Sequence, residues 1–176
     1  MENIKCFENF LQEEDMKTCN QFLNTPNWLF GNKSNIFDKT SIKFWHLNLD
    51  ENDFFSIYLK YKIEIATGKK FALKTVYANG QTFGQDGSFH KDSVEDNHWT
   101  FCLYICQFDD NPINMDSIGG NIQFKMPEIK PFLINIEPLS NRAILFPSNY
   151  LHRGLSFNRF ISELRICVAW KLQEIN

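Results

Sequence analysis

Downstream of Gly68 the chain breaks into seven short apolar runs, at 70–78, 87–91, 99–107, 120–125, 131–137, 142–147 and 163–172, with Gly, Asn, Asp and Pro gathered between them. Runs of this length at roughly ten-residue intervals build antiparallel sheets, because the connections are too short to hold the helices of a β-α series. The spacing therefore predicts a mainly β fold, a jelly roll over 69–176.

Residues 1–68 carry a different period. Phe10, Leu11, Met16, Cys19, Phe22 and Leu23 recur at helical spacing behind Glu13, Glu14 and Asp15, acids that the positive end of a helix favours, so a helix is expected over 12–24, closed by Pro26. Gly31, Asn32, Ser34 and Asn35 read as a loop before a strand at Ser41–Leu47. Asp50 or Asn52 caps a second helix running to about Ala66, with Phe54, Ile57, Tyr58, Tyr61 and Ile65 as its apolar side and Gly68 as its stop. The whole reads as one α+β domain over 1–176, two supporting helices followed by the jelly-roll core.

Composition narrows the partners. A chain of 176 residues with 43% hydrophobic residues and 18 Phe can bury a sizeable core. With 18 basic against 21 acidic residues and no long block of either sign, the charge that nucleic-acid binding draws on is missing, and no such partner is expected. The nearest basic cluster, Lys60, Lys62, Lys69, Lys70 and Lys74, reads as a solvated face. Cys6, Cys19, Cys102, Cys106 and Cys167 are odd in number and contain no C-x-x-C pair, which fits free thiols. No stretch approaches the roughly 18 apolar residues of a membrane span, and no apolar run follows a basic start. A soluble, cytoplasmic protein without membrane partners is the expectation.

The chemistry gathers around His90-Lys91-Asp92, His152 and Arg165. Residues two apart on a strand face one way, so His90 and Asp92 can share a side, and a short loop would permit the same. Two imidazoles and a carboxylate, two of them near in sequence and one distant, make a three-point facial site that leaves the opposite positions open, and ferrous iron is the metal such a site uses. Taken singly, the H-x-D would be a surface histidine beside a solvated aspartate, and His152 a hydrogen-bonded core histidine. His46, in the early aromatic segment, and His98, in the polar run 95–98, are left outside the set.

Arg165 lies in a strand-forming run where alternation puts Ile166, Val168 and Trp170 on one face and Arg165, Cys167 and Ala169 on the other. A guanidinium facing the interior of a barrel needs an anion, and a dicarboxylate would supply one. The alternatives are an edge-strand arginine paired with Glu163 or Glu174, and Arg159 in the same role.

In order, Tyr77, Gly80, His90-Lys91-Asp92, Tyr104, Gly119-Gly120, His152 and Arg165 resemble the iron(II)- and 2-oxoglutarate-dependent dioxygenases, and within them the prolyl 4-hydroxylase-like branch. The resemblance covers roughly Phe71 to Leu172, and Phe7–Leu11 is similar to the start of that branch. It implies a double-stranded β-helix core, with His90, Asp92 and His152 as iron ligands. It also implies Arg165 on the far carboxylate of 2-oxoglutarate, Tyr104 on the same carboxylate, Tyr77 bordering the cleft and Ile122 beside the co-substrate. Tyr104, Tyr77 and Ile122 read equally as packing.

The activity implied by the resemblance is that of an oxidoreductase using Fe(II), 2-oxoglutarate and O2, with L-ascorbic acid as reductant, acting as a prolyl hydroxylase on a peptide or protein. Its alternatives are the same chemistry on a free amino acid or small metabolite, and a non-catalytic jelly-roll binding module. The sequence departs from the family pattern in three places. The gap from His152 to Arg165 is a few residues longer, an insert at 83–88 precedes His90 and reshapes the entrance, and Asn121-Ile122 replaces an acidic-threonine pair. Trp99 and Tyr150 are the aromatics available near the entrance.

Overall fold

A computed structural model describes residues 3–35, 38–106, 118–126 and 132–175. Ten strands lie among them: β1 (Lys5–Phe7), β2 (Leu29–Lys33), β3 (Lys43–Asn48), β4 (Lys70–Gln81), β5 (His98–Tyr104), β6 (Ile122–Met126), β7 (Phe132–Ile136), β8 (Ala143–Pro147), β9 (His152–Gly154) and β10 (Arg165–Ile175). They form a seven-stranded sheet in the order β1-β8-β5-β10-β4-β3-β2 and a three-stranded sheet in the order β7-β6-β9, with every pair antiparallel. The expected strand ends at 107 and 131 lie outside the described residues.

The central strand β10 organises the packing through its alternation. Val168, Trp170 and Leu172 are buried on one face of the large sheet, together with Val76, Ala78, Phe101 and Leu103 from its neighbours. Helix α1 (Glu13–Leu23) covers that face with Cys19 and Leu23. The opposite face carries Cys102, Tyr104, Ile144, Phe146, Cys167 and Ala169, which meet Ile122 and Phe124 of the small sheet to form a second core. Two sheets closing over a shared interior make the jelly roll that the strand spacing predicts, backed by helices on its outer face.

The second helix differs from its sequence reading. It opens as a π-helical stretch, Phe54–Leu59, and continues as α2 (Lys60–Thr67). Asn52 caps it, its side-chain oxygen accepting Phe54 N–H at 3.1 Å, and Gly68 ends it with a left-handed φ of 68°. The wider π turn moves the buried row off the 3.6-residue period. Phe55, Leu59 and Ile63 are fully buried, whereas Ile57, at 61% exposure, and Ile65 and Tyr61 of the expected apolar side face outward. The Phe55 carbonyl accepts Trp170 Nε1–H at 2.8 Å, which fastens this helix to β10.

Other expectations are corrected as well. Two helices do not precede everything else, since β1 pairs with β8 and forms one edge of the large sheet. Gly31 and Asn32 lie within β2, where the register shifts between Phe30 and Asn32, so a bulge stands in place of the expected loop. The run at 87–91 contributes only the bridge His90–His152. His98 starts β5 and is half-buried. The lysine cluster is no plain solvated face: Lys60 pairs with Glu64 at 2.8 Å, Lys62 with Asp15 at 2.6 Å and Lys69 with Glu174 at 2.5 Å. All five cysteines are free.

The choice of helix face is testable by truncation. Phe55→Ala is expected to lower the unfolding free energy by about 3–5 kcal/mol, while Ile57→Ala changes it by less than about 0.5 kcal/mol. Urea denaturation of both variants checks this, and comparable losses would contradict the packing described.

Candidate metal centre and anion pocket

The large and small sheets leave between them a cavity of about 520 Å³, lined by His90, Asp92, Tyr104, His152, Arg165 and Lys171 among others. His90 and His152 belong to different segments that meet as a hydrogen-bonded backbone pair, each N–H donating to the other's carbonyl at 2.9 Å. Asp92 N–H and Ser93 N–H both donate to the Ser148 carbonyl, at 2.9 and 3.1 Å, which pulls the chain after His90 back toward the same point. The donor atoms of His90, Asp92 and His152 thereby all lie within 4.8 Å of one another.

Hydrogen bonding sets which nitrogen each histidine offers. His90 Nδ1 lies 2.9 Å from the Ser88 carbonyl and His152 Nδ1 2.9 Å from the Tyr150 carbonyl. A carbonyl oxygen can only accept, so each Nδ1 carries a proton, and the neutral form of either ring keeps its lone pair on Nε2. Both lone pairs face Asp92, at 3.4 Å from Oδ1 for His90 and 3.4 Å from Oδ2 for His152. Burial holds the His152 imidazole down to about 4, against the pull of Asp92, so it is neutral at pH 7. Two imidazole nitrogens, each 3.4 Å from a carboxylate oxygen and with all three donors within 4.8 Å of one another, are a donor set that suits a divalent metal.

Asp92 is charged. Burial opposes its ionisation, but the Lys171 ammonium beside it holds it well below the usual carboxylate range. Lys171 donates to Oδ2, and Thr100 Oγ1 donates to the same oxygen at 2.6 Å. Ser148 Oγ lies 2.9 Å from Thr100 Oγ1 and closes this network.

Deeper in the cavity, Arg165 is 3% exposed. Its Nε donates to the Gly120 carbonyl at 2.6 Å and its Nη1 to Gln81 Oε1 at 2.7 Å. Gly120 has φ of 77°, and a Cβ there would meet the Phe157 ring at 2.5 Å, so only glycine can bring this carbonyl to the guanidinium. Two neutral acceptors orient Arg165 without cancelling its charge, and among the described residues no carboxylate forms an ion pair with it.

Beside it stands Tyr104, fully buried, with the guanidinium 5.1 Å from its ring centroid and its hydroxyl lacking any hydrogen-bond partner among the described residues. Burial pushes this phenol well up, which keeps it a neutral donor. An unpaired buried cation next to an unpaired buried hydroxyl is a site arranged for an anion, and a carboxylate satisfies both.

The remaining residues singled out in the sequence fall on both sides of the cavity wall. Tyr77 lines the cavity from β4, its phenol raised to about 12 by burial, and Ile122 lines it from β6. Arg159 is exposed, its guanidinium 4.9 Å from the Phe160 ring centroid, and does not reach the cavity. Glu174 pairs with Lys69 and accepts Trp99 Nε1–H at 2.9 Å, so neither Glu174 nor Trp99 is at the site. Tyr150 packs against the second core. His46 packs at a tilt against Tyr77, with ring centroids 5.1 Å apart and planes at 42°. The insert 83–88 is tied down, Asp86 Oδ1 accepting both Ser156 N–H and Ser156 Oγ–H at 2.8 Å.

Lys171, Thr100, Ser148 and Gln81 join the site without having stood out in the sequence. Lys171 follows Arg165, Cys167 and Ala169 on the same face of β10, and a charged residue continuing that row is the available signal. Gln81 is the register partner of Arg165 across β4. Thr100 and Ser148 carry no sequence signal of their own.

No family model matches the chain, and no curated protein matches it in sequence. Solved structures do match in fold. An oxidoreductase of the 2OG-Fe(II) oxygenase family from Burkholderia pseudomallei superposes with a TM-score of 0.72 at 9% identity, covering 99% of this chain and 86% of that one. A prolyl hydroxylase from Trichoplax adhaerens, solved with a hypoxia inducible factor peptide fragment, gives 0.67 at 16% identity over 98% and 84%. HygX from Streptomyces hygroscopicus, solved with nickel, 2-oxoglutarate and hygromycin B, gives 0.68 at 8% identity over 97% and 82%. The fold is that of the 2-oxoglutarate and iron(II) oxygenases.

The orphaned hydroxyl makes a prediction about the ligand-free protein. Tyr104→Phe removes an unsatisfied buried group and is expected to raise stability by about 1 kcal/mol in the absence of ligand. Thermal melting in chelator-treated buffer checks it, and a loss of stability would mean that the hydroxyl already has a partner.

Proposed function

We propose that this chain is an Fe(II)- and 2-oxoglutarate-dependent dioxygenase that hydroxylates an unactivated C–H bond. The observation that carries the reading is the placement of Arg165 and Tyr104, among the described residues an unneutralised guanidinium and an unpartnered phenol, in the same cavity as the His90, Asp92 and His152 donors. A metal site alone would serve many chemistries, whereas a metal site beside a receptor for a second carboxylate suits a chelating keto diacid.

His90 Nε2, the Asp92 carboxylate and His152 Nε2 would hold the metal. A ferrous ion there would activate O2 while 2-oxoglutarate is oxidatively decarboxylated, one oxygen atom leaving in succinate and the other entering the substrate C–H bond. The protein's own residues bind and orient. Arg165 and Tyr104 grip the far carboxylate and so aim the keto acid end at the metal. Gln81 and the Gly120 carbonyl hold the guanidinium in place, and Ile122 and the Cys102 and Cys167 thiols exclude water from the wall between. Ascorbate would act from solution, as the reductant that keeps iron ferrous.

For the substrate, the prolyl hydroxylases among the similar folds support hydroxylation of proline in a peptide. A second reading rests on the cavity lining. Asn32, Lys33, Ser34, Asn35 and Asn79 contribute amides and charge to it beside Phe44 and Tyr77, while Trp99 and Tyr150 are not part of it. That lining favours a polar small molecule.

The binding half of the proposal is tested by thermal melting with Mn(II) and an unreactive 2-oxoglutarate analogue. At about 100 times its dissociation constant the analogue should stabilise the wild type by roughly 2.7 kcal/mol, and Arg165→Ala should lose most of this. An equal shift in both would remove Arg165 from the site. For turnover, iron, 2-oxoglutarate and O2 should yield succinate, and Asp92→Ala should abolish it. Mass spectrometry of proline peptides and of polar metabolites after incubation separates the substrate readings by which one gains an oxygen atom.

A further inference from the structure

Lys171 is the residue that binding a metal and a diacid does not require. Its side chain is 18% exposed, its ammonium donates to Asp92 Oδ2, and it lies 5.7 Å from the Tyr77 ring centroid. It arrives there because β10 runs on past Arg165 with the same face inward, and because the register with β4 shifts between Lys171 and Leu172. Such irregularities re-aim side chains beside functional sites. Stability is a poor reason for a buried ion pair, since desolvating two charges offsets their attraction and an apolar side chain would fill the space as well.

The two oxygens of Asp92 keep different company. Oδ2 accepts from both Lys171 and Thr100 Oγ1. Oδ1 faces His90 Nε2 at 3.4 Å. Among the described residues, then, Oδ2 accepts two hydrogen bonds and also stands 3.4 Å from His152 Nε2, while Oδ1 faces His90 Nε2 and accepts from neither Lys171 nor Thr100.

We propose, on the reading of this site as a metal centre, that Lys171 makes Asp92 a one-oxygen ligand: it occupies Oδ2, leaves Oδ1 alone to the metal, and draws charge out of the carboxylate. A carboxylate binding through both oxygens would use a coordination position that a chelating co-substrate and an incoming small molecule need. A weaker carboxylate donor also leaves the metal the stronger Lewis acid. Lys171 thus acts through Asp92, as a positioning residue, and Thr100 shares the holding without supplying the charge.

The test loads wild type, Lys171→Met and Lys171→Arg with Co(II), in the absence of co-substrate. Affinity is read by competition with a chelator. The carboxylate binding mode is read from the separation of its two infrared stretches in protein labelled with 13C at aspartate. Wild type and Lys171→Arg should give the wide separation of one-oxygen ligation. Lys171→Met should give a narrower one and bind Co(II) about tenfold more tightly or better, because a positive charge beside the dication is gone.

Unchanged separation and affinity in Lys171→Met overturn the role of Lys171 while leaving the metal reading intact; absence of Co(II) binding by wild type overturns both. Should Lys171→Met not fold, a structure of metal-loaded wild type decides. Metal on Oδ1 with Lys171 still on Oδ2 supports the proposal, and metal on both oxygens, or Lys171 detached from Asp92, defeats it.

Discussion

One pair of backbone hydrogen bonds brings the site into being. His90 and His152 are far apart in sequence, and each donates its N–H to the other's carbonyl at 2.9 Å. A mutual pair of this kind fixes both Cα positions and leaves the two side chains neighbours on one face of the ladder. The ring centroids accordingly stand 4.5 Å apart. Asp92 then needs only a short return of the chain, which the Ser148 carbonyl supplies by accepting two successive N–H groups. Slipping that bridge by one residue would turn one imidazole to the opposite face and leave at most two donors together. The small sheet holds this register: β6 pairs with β9 directly, Phe124 opposite His152, and the rings of Phe124 and Phe146 pack against the His152 ring.

The interior that results is costly before any ligand enters. Among the described residues it holds a guanidinium with only neutral partners, a phenol with none, and an ion pair between Lys171 and Asp92. Each such group opposes folding unless something compensates it. The compensation lies on the far face of the same strand, where Val168, Trp170 and Leu172 are buried against Phe55 and its neighbours. Strand β10 therefore couples the two halves of the molecule. Its apolar row supplies packing that its polar row offsets, and the register that buries Trp170 also aims Arg165 and Lys171 into the cavity.

This division explains what a reading of the residues can and cannot reveal. Turn residues at regular intervals predict the long strands, because each strand ends where a sharp reversal must occur. Three-residue β9 escapes notice, since alternation cannot be read over so few positions, although it carries His152. The face of the second helix is misread for a different reason. Sequence periodicity assumes 3.6 residues per turn, and the π-helical opening at Phe54–Leu59 breaks that assumption at the point where the buried row begins. Arg165 is legible because a charge inside an apolar strand demands an explanation. Lys171 poses the same question less loudly, since it stands at the end of the run, where charge reads as solvent exposure.

Two irregularities of the sequence, the insert before His90 and the lengthened connection before Arg165, become one feature in three dimensions. Asp86 accepts from the N–H and hydroxyl of Ser156, Gly84 N–H donates to Ser156 Oγ at 3.2 Å, and Gly87 N–H donates to the Gly154 carbonyl at 2.8 Å. These bonds fasten the two segments to each other, and the Ser156 carbonyl accepting Gly120 N–H at 2.9 Å ties the longer one to the residues leading into β6 as well. Phe157 anchors the longer one, buried against Gly120, the residue whose carbonyl holds Arg165. Extra length between His152 and Arg165 is thus absorbed by a loop packed beneath the guanidinium, and the spacing between two site residues in sequence ceases to constrain their spacing in the cavity. What the site requires physically is the antiparallel register of β10 with β4 and β5, and any connection that permits this register can precede Arg165.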